Sequence, residues 1–82
     1  MLFFIEMTDT FGAEANYSWV SRLVVNAKSE RGAARILGNH TGLNWRNDGM
    51  RWNSKSGATC AFIEPFDEEL HERLTFVFDC RD

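Results

Sequence analysis

No long hydrophobic run occurs in this sequence of 82 residues. The longest apolar run, Leu2 to Ile5, is closed by Glu6 and is far shorter than the roughly 20 apolar residues that span a bilayer. The N-terminus also lacks the basic region and small-residue cleavage site of a signal peptide. We therefore expect no membrane association and a cytoplasmic location.

The sequence also lacks the close spacing of Cys and His residues that is typical of metal-binding motifs. The chain has two cysteines, Cys60 and Cys80, and two histidines, His40 and His71, and no two of them have the close spacing that builds structural zinc sites. In a reducing cytosol such cysteines are more often buried as small hydrophobic residues than joined in a disulfide. A disulfide between Cys60 and Cys80 is the alternative. We expect no metal and no cofactor.

Catalytic motifs are also lacking, because the chain contains neither a Gly-rich phosphate loop nor a paired-acid pattern. A Cys–His pair could still form in space, but a chain this short rarely encloses a substrate pocket of about 300 Å³ or more. The sequence therefore favours a binding protein over an enzyme.

Aromatic residues are plentiful: seven Phe, three Trp and one Tyr. A chain of this size forms one domain, here residues 1–82, and buries only about 60% of the surface that its unfolded state exposes. We expect aromatic burial to anchor the core.

The residue pattern predicts an α+β fold in the order β-β-α-β-β-β-α-β. This is a mostly antiparallel sheet with one main helix packed on one face and a short second helix. The predicted elements are strands at 2–7 and 18–27 joined by a loop at 8–17, a helix at 30–40, strands at 43–47, 50–54 and 58–64, a short helix at 67–73 and a strand at 75–80.

Capping residues delimit the main helix. Ser29 is a good N-cap, and Gly42 lies where a left-handed C-cap belongs. Gly32 and Gly38 weaken the helix, so its stability must come from docking on the sheet, and Gly32 is a candidate for close approach. The expected buried face contains residues at helical spacing: Ala33, Ile36, Leu37 and His40.

The Asp48-Gly49 pair between two alternating runs is a strong hairpin signal. A two-residue turn would place Trp45 opposite Trp52 on one face and Arg46 opposite Arg51 on the other. We expect the tryptophans to belong to the core, although an exposed pair would make an interface.

Charge is unevenly distributed along the chain. Residues 22–55 carry a net charge of +5, whereas residues 56–82 carry −5. A bound phosphate or a partner carboxylate would relieve the repulsion between the opposed Arg46 and Arg51. With Lys55 these arginines form a candidate nucleic-acid surface, to which Arg31 and Arg35 could add. The alternative is an ordinary solvated face, and the overall charge of −3 argues against nucleic acid.

An acidic stretch follows at 64–72, with five carboxylates and no Lys or Arg. Helix-dipole complementarity accounts for some of them. The remainder could face a basic partner, such as a protein that handles nucleic acid. These candidate partner-binding acids are Glu64, Asp67, Glu68, Glu69 and Glu72.

The stretch Thr-Asp-Thr-Phe-Gly-Ala-Glu-Ala-Asn-Tyr-Ser-Trp-Val at 8–20, with Ser-Glu-Arg-Gly-Ala-Ala at 29–34, resembles small uncharacterised proteins encoded by bacteriophages and prophages. In size and charge the chain also resembles the inhibitors of bacterial defence complexes, including anti-CRISPR proteins. The resemblance implies stoichiometric binding to a host protein, such as a nucleic-acid-handling defence complex, in the cytoplasm of a bacterium. It implies no catalytic residues and leaves the oligomeric state open.

Overall fold

The computed structural model describes residues 1–67, which form five strands and one helix. The elements in chain order are β1 (Leu2–Phe11), β2 (Glu14–Asn26), α1 (Glu30–Thr41), β3 (Trp45–Asn47), β4 (Trp52–Ser54) and β5 (Thr59–Pro65). The sheet order is β2-β1-β5-β4-β3, and every pairing is antiparallel. The α+β class and the order of the elements through β5 are confirmed.

β1 and β2 form a long hairpin, so the loop predicted at 8–17 is wrong. The strands continue to a two-residue turn at Gly12 and Ala13, where φ is +62° and +68°. Positive φ at both central positions is the geometry that matches the twist of paired strands. The polar composition of this stretch instead serves an irregularity in the pairing, described next.

The β1–β2 register shifts between Thr8 and Thr10. Asp9 stabilises the extra residues of β2 by accepting bonds from Asn16 Nδ2 at 3.0 Å, Ser18 N at 3.0 Å and Ser18 Oγ at 2.6 Å. These bonds hold the pKa of Asp9 far below its usual value, and the bond from the Ser18 hydroxyl contributes most to this lowering. The hydrogen bonds of the Asp9 carboxylate therefore take the place of the backbone hydrogen bonds that a regular hairpin would form here.

α1 begins at the predicted residue and ends one residue beyond the predicted bound, and both caps are those predicted. Ser29 Oγ accepts from Gly32 N at 3.1 Å, and Gly42 adopts φ +75° while its N–H donates to Gly38 O. The predicted buried face is only partly right, because Ile36 and His40 are exposed. The face that contacts the sheet is Ala33, Ala34 and Leu37.

The main hydrophobic cluster lies between α1 and one face of the sheet. Alternate residues of the strands point to this face, as the period of two requires. Its buried members are Phe3, Ile5, Val25, Ala33, Ala34, Leu37, Trp52 and Ala61. Burial of Ile5 and Leu37 is complete, so the helix and the interior strand β1 depend on each other for stability.

The predicted short helix at 67–73, apart from Asp67 itself, and the last predicted strand at 75–80 lie outside the described residues. Within residues 1–67 no helix has the length and hydropathy to cross a membrane. Cys60 is a free thiol, fully buried, and burial raises its pKa. This agrees with the small-hydrophobe interpretation of Cys60.

Candidate functional site

The hairpin of β3 and β4 has a longer turn than the sequence predicted. Trp45 pairs with Ser54 and Asn47 pairs with Trp52, leaving the four residues 48–51 between the strands. The expected pairing of Trp45 with Trp52 is therefore wrong. The shift of register is two residues, so both tryptophans still lie on the same face, one diagonal to the other.

Asp48 determines this turn. Its Oδ1 accepts from Met50 N and Arg51 N at 2.9 Å each, and its Oδ2 accepts from Asn53 Nδ2 at 2.8 Å. The backbone bonds from Met50 and Arg51 contribute most to lowering the pKa of Asp48 to about 2. A tight two-residue turn would not allow one carboxylate to accept these bonds, so the side chain favours the longer loop.

Arg51 is a structural residue and does not pair with Arg46. Its Nε donates to Asn53 Oδ1 at 2.9 Å, and its Nη2 donates to the backbone oxygen of Ala13 at 2.6 Å. The β3–β4 turn is thereby joined to the turn of the β1–β2 hairpin. The predicted cross-strand pair of arginines is wrong, because Arg46 lies opposite Asn53.

Both tryptophans connect the hairpin to α1. Trp52 is buried and donates Nε1 to Glu30 Oε2 at 2.8 Å. Trp45 is half-buried and donates Nε1 to Thr41 Oγ1 at 3.2 Å. Trp52 is thus a core residue as expected, whereas Trp45 also borders solvent.

A groove of about 870 Å³ lies between α1 and β3. The helix contributes one of its sides, and β3 contributes its whole length. The lining residues that carry polar or aromatic groups include Arg31, Arg35, Asn39, Trp45, Arg46 and Asn47. The groove is therefore basic, rich in amides and open to solvent.

The groove's arginines lack acidic partners among residues 1–67. Arg31, Arg35 and Arg46 are exposed, and the ion pair found in this part of the chain joins Arg22 to Glu6 at 3.1 Å. The nearby carboxylate of Glu30 already accepts from the Trp52 indole and the Asn47 amide. Arg31, Arg35 and Arg46 line one concave surface and form no ion pair with an acid in residues 1–67, so this surface attracts anions.

Guanidinium groups suit two kinds of ligand. Arg binds carboxylates and phosphates through paired N–H donors, and the amides of Asn39 and Asn47 can accept or donate beside them. Among the described residues no group of three His, Cys, Asp or Glu is placed to hold a metal ion. The site therefore suits binding of an anionic segment.

The structure separates the residues that the sequence grouped as basic candidates. Arg46 lines the groove, Arg51 serves the turn, and Lys55 is exposed in the turn after β4 and does not line the groove. Arg31 and Arg35, which the sequence offered only as additions, line the groove with Trp45. Their i, i+4 spacing was the available signal, but only the packing of α1 beside β3 shows that they share a site.

Two of the acidic candidates are described: Glu64 and Asp67 are exposed at and just after the end of β5. The other three, Glu68, Glu69 and Glu72, lie outside the described residues.

Comparisons with protein-family models, with curated proteins and with solved structures found no match for this chain.

Proposed function

We propose that this protein acts by stoichiometric, non-covalent binding to another protein, and that the groove between α1 and β3 receives an acidic segment of that partner. The observation that carries the proposal is the set of three arginines, Arg31, Arg35 and Arg46, which surround one groove without acidic partners in residues 1–67. Carboxylates are their natural counterions in a protein.

An acidic protein segment fits better than nucleic acid. The whole chain carries −3, and affinity for nucleic acid depends mainly on neutralising many phosphates along a backbone. The groove offers three arginines, while Arg51 is engaged in the turn and Lys55 lies elsewhere. Trp45 beside Arg46 could stack a base, so single-stranded nucleic acid is the second candidate.

The resemblance to phage proteins supplies the setting of the proposal. The partner would be a host protein, such as a component of a nucleic-acid-handling defence complex, and occupation of its surface would inhibit it. The acidic residues Glu64 to Glu72 would make a second contact with a basic part of that partner. Reversal of Glu68, Glu69 and Glu72 to Lys should then weaken capture of the partner from bacterial lysate.

Charge reversal tests the groove directly. A short peptide of alternating Glu and Thr, fluorescently labelled, is titrated with the protein and with Arg35→Glu, and binding is followed by anisotropy. We expect Arg35→Glu to weaken binding by about tenfold or more, equivalent to ~1.4 kcal/mol. The matched control is Lys28→Glu, since Lys28 is exposed and does not line the groove.

Equal weakening by Arg35→Glu and Lys28→Glu would mean that only net charge matters, and the groove would not be the site. Binding of oligothymidylate that exceeds peptide binding, depends on Arg35 and falls with salt would favour nucleic acid instead.

A further inference from the structure

We infer that the acidic partner segment binds as an added β-strand along β3, a mode that rests on the proposed function and specifies it. β3 is the last strand of the sheet order β2-β1-β5-β4-β3, so one of its two edges faces away from β4. An extended peptide gains main-chain hydrogen bonds at such an edge, and pockets beside it select its side chains.

The hydrogen-bond pattern shows which backbone groups are available. Asn44 O accepts from Lys55 N at 2.8 Å, and Asp48 N donates to Arg51 O at 3.0 Å, so these residues face β4. Antiparallel pairs alternate between bonded and non-bonded positions. The backbone N–H and C=O groups of Trp45 and Asn47 therefore point to the outer edge, where a partner strand can meet them.

The groove lies along this edge on the helix side of the sheet. Trp45 bonds Thr41 at the end of α1, and Asn47 Nδ2 bonds Glu30 Oε2 at its start at 3.4 Å, so β3 runs beside the helix in the opposite direction. An added strand would direct every second side chain into the groove, towards Arg31 and Arg35.

The spacing of the arginines matches such a strand. Residues four apart on a helix are separated by about 6 Å along its axis. Side chains two apart on a strand are separated by about 6.6 Å. Glu or Asp residues at alternate positions of the peptide can therefore meet Arg31 and Arg35 together, which predicts a preference for an acidic residue at every second position.

Arg46, in the middle of β3, favours this occupant over a second copy of the chain. A short edge strand with a central charge resists pairing with itself, because two such edges would bring like charges together. An acidic peptide strand instead brings its carboxylates into the groove, where Arg31 and Arg35 attract them. The edge is thus protected from self-association while open to a segment of opposite sign.

N-methylation of the peptide tests the strand. Two isomers of the Glu-Thr peptide are made, one methylated on the Glu nitrogens and the other on the Thr nitrogens, with charge and composition unchanged. In a strand all Glu N–H groups point to one edge and all Thr N–H groups to the other. We expect one isomer to lose binding by about tenfold or more and the other to retain it.

Amide exchange by NMR gives the second readout. In the complex with the unmethylated peptide, we expect an amide of Trp45 or Asn47 to exchange more slowly. A peptide of the same composition with its Glu residues in one block should bind more weakly than the alternating peptide.

The outcomes separate the two proposals. If both methylated isomers bind as well as the parent and exchange at Trp45 and Asn47 is unchanged, while Arg35→Glu still weakens binding, strand addition is overturned and the groove proposal stands. If Arg35→Glu leaves the affinity for the peptide unchanged, the proposed function itself fails. Dominant binding of oligothymidylate would overturn strand addition as well.

Discussion

Trp52 donates its indole Nε1 to Glu30 Oε2 across 2.8 Å, joining the β3–β4 hairpin to the first residue of α1. The same carboxylate lies beside the helix N-terminus, where the dipole favours negative charge. One side chain thus satisfies a buried donor and stabilises the helix start. The groove owes its position to this bond and to its counterpart between Trp45 and Thr41.

Glu30→Ala should lower the free energy of unfolding by about 1–2 kcal/mol, because the indole donor of Trp52 loses its acceptor. Glu30→Gln keeps an acceptor oxygen and should cost less than half as much. Urea denaturation at neutral pH measures both. Equal losses for the two variants would show that the acceptor is not what Glu30 contributes.

Trp52→Ala should cost about 3–5 kcal/mol, since Trp52 is only 8% exposed and its removal leaves a large cavity. That is a large part of the ~5–15 kcal/mol that stabilises a typical domain. Trp45→Ala should cost less because Trp45 is half-buried. Circular dichroism melts compare the two, and a larger loss for Trp45 would contradict the assigned burial.

Gly32→Ala should stabilise the protein, whereas Gly38→Ala should not. A Cβ at Gly32 would lie 3.5 Å from both Ala27 Cβ and Ser29 Oγ, an ordinary contact, so the gain in helix propensity of about 1 kcal/mol should appear. At Gly38 it would lie 3.2 Å from the backbone oxygen of Leu43. We expect that substitution to give no gain or a loss. The close approach of the helix to the sheet that was expected at Gly32 is therefore not found there, and the tight contact at Gly38 is to the loop after α1.

The β1–β2 turn should be improved by Ala13→Gly. Ala13 has φ +68°, which costs an L-residue about 1–2 kcal/mol, partly offset by the greater freedom of glycine in the unfolded chain. The net gain should be about 0.5 kcal/mol. Gly12→Ala, at φ +62° with nothing within 4 Å of its Cβ, should destabilise through backbone strain alone. Opposite results in urea denaturation would exclude the assigned turn geometry.

Acid should weaken the Asp48 turn. The pKa of Asp48 is lowered to about 2 in the folded protein, from an ordinary value of 3.8. A depressed pKa contributes stability that is fully present above about pH 4 and is lost as the pH falls towards 2. The difference in stability between the protein and Asp48→Asn should therefore shrink over that interval. The carboxyl resonance of Asp48, followed by NMR, should titrate near pH 2, and a midpoint near 4 would contradict the bonding.

Local sequence determined much of this fold. The continuous β-formers of Leu2 to Met7 are typical of a strand that is buried on both faces or lies centrally in the sheet. β1 is an interior strand between β2 and β5, with Phe3, Phe4 and Ile5 buried. Ser29 and Gly42 predicted both ends of α1, because capping depends on side-chain and backbone chemistry within one turn. β5 ends at Pro65, one residue beyond the predicted bound at 64, because proline lacks the N–H that would continue the ladder.

The tertiary structure decided the register of the β3–β4 hairpin, which the alternation of residues in the sequence leaves open. A shift of two residues keeps every side chain of a strand on the same face, so the pattern around Asp48-Gly49 could not distinguish the observed register from the expected one. The bonds of Asp48 to Met50, Arg51 and Asn53 selected between them.

The candidate site depended on tertiary structure still more. Helical spacing placed Arg31 and Arg35 together, but whether they met solvent, acids or another element depended on which side of α1 lay beside β3. That choice was made by packing, as Ala33, Ala34 and Leu37 turned to the sheet and Ile36 and His40 did not. Charges along a chain are fixed by its sequence, whereas a concave basic surface exists only when separate elements are brought side by side, because its shape comes from long-range contacts.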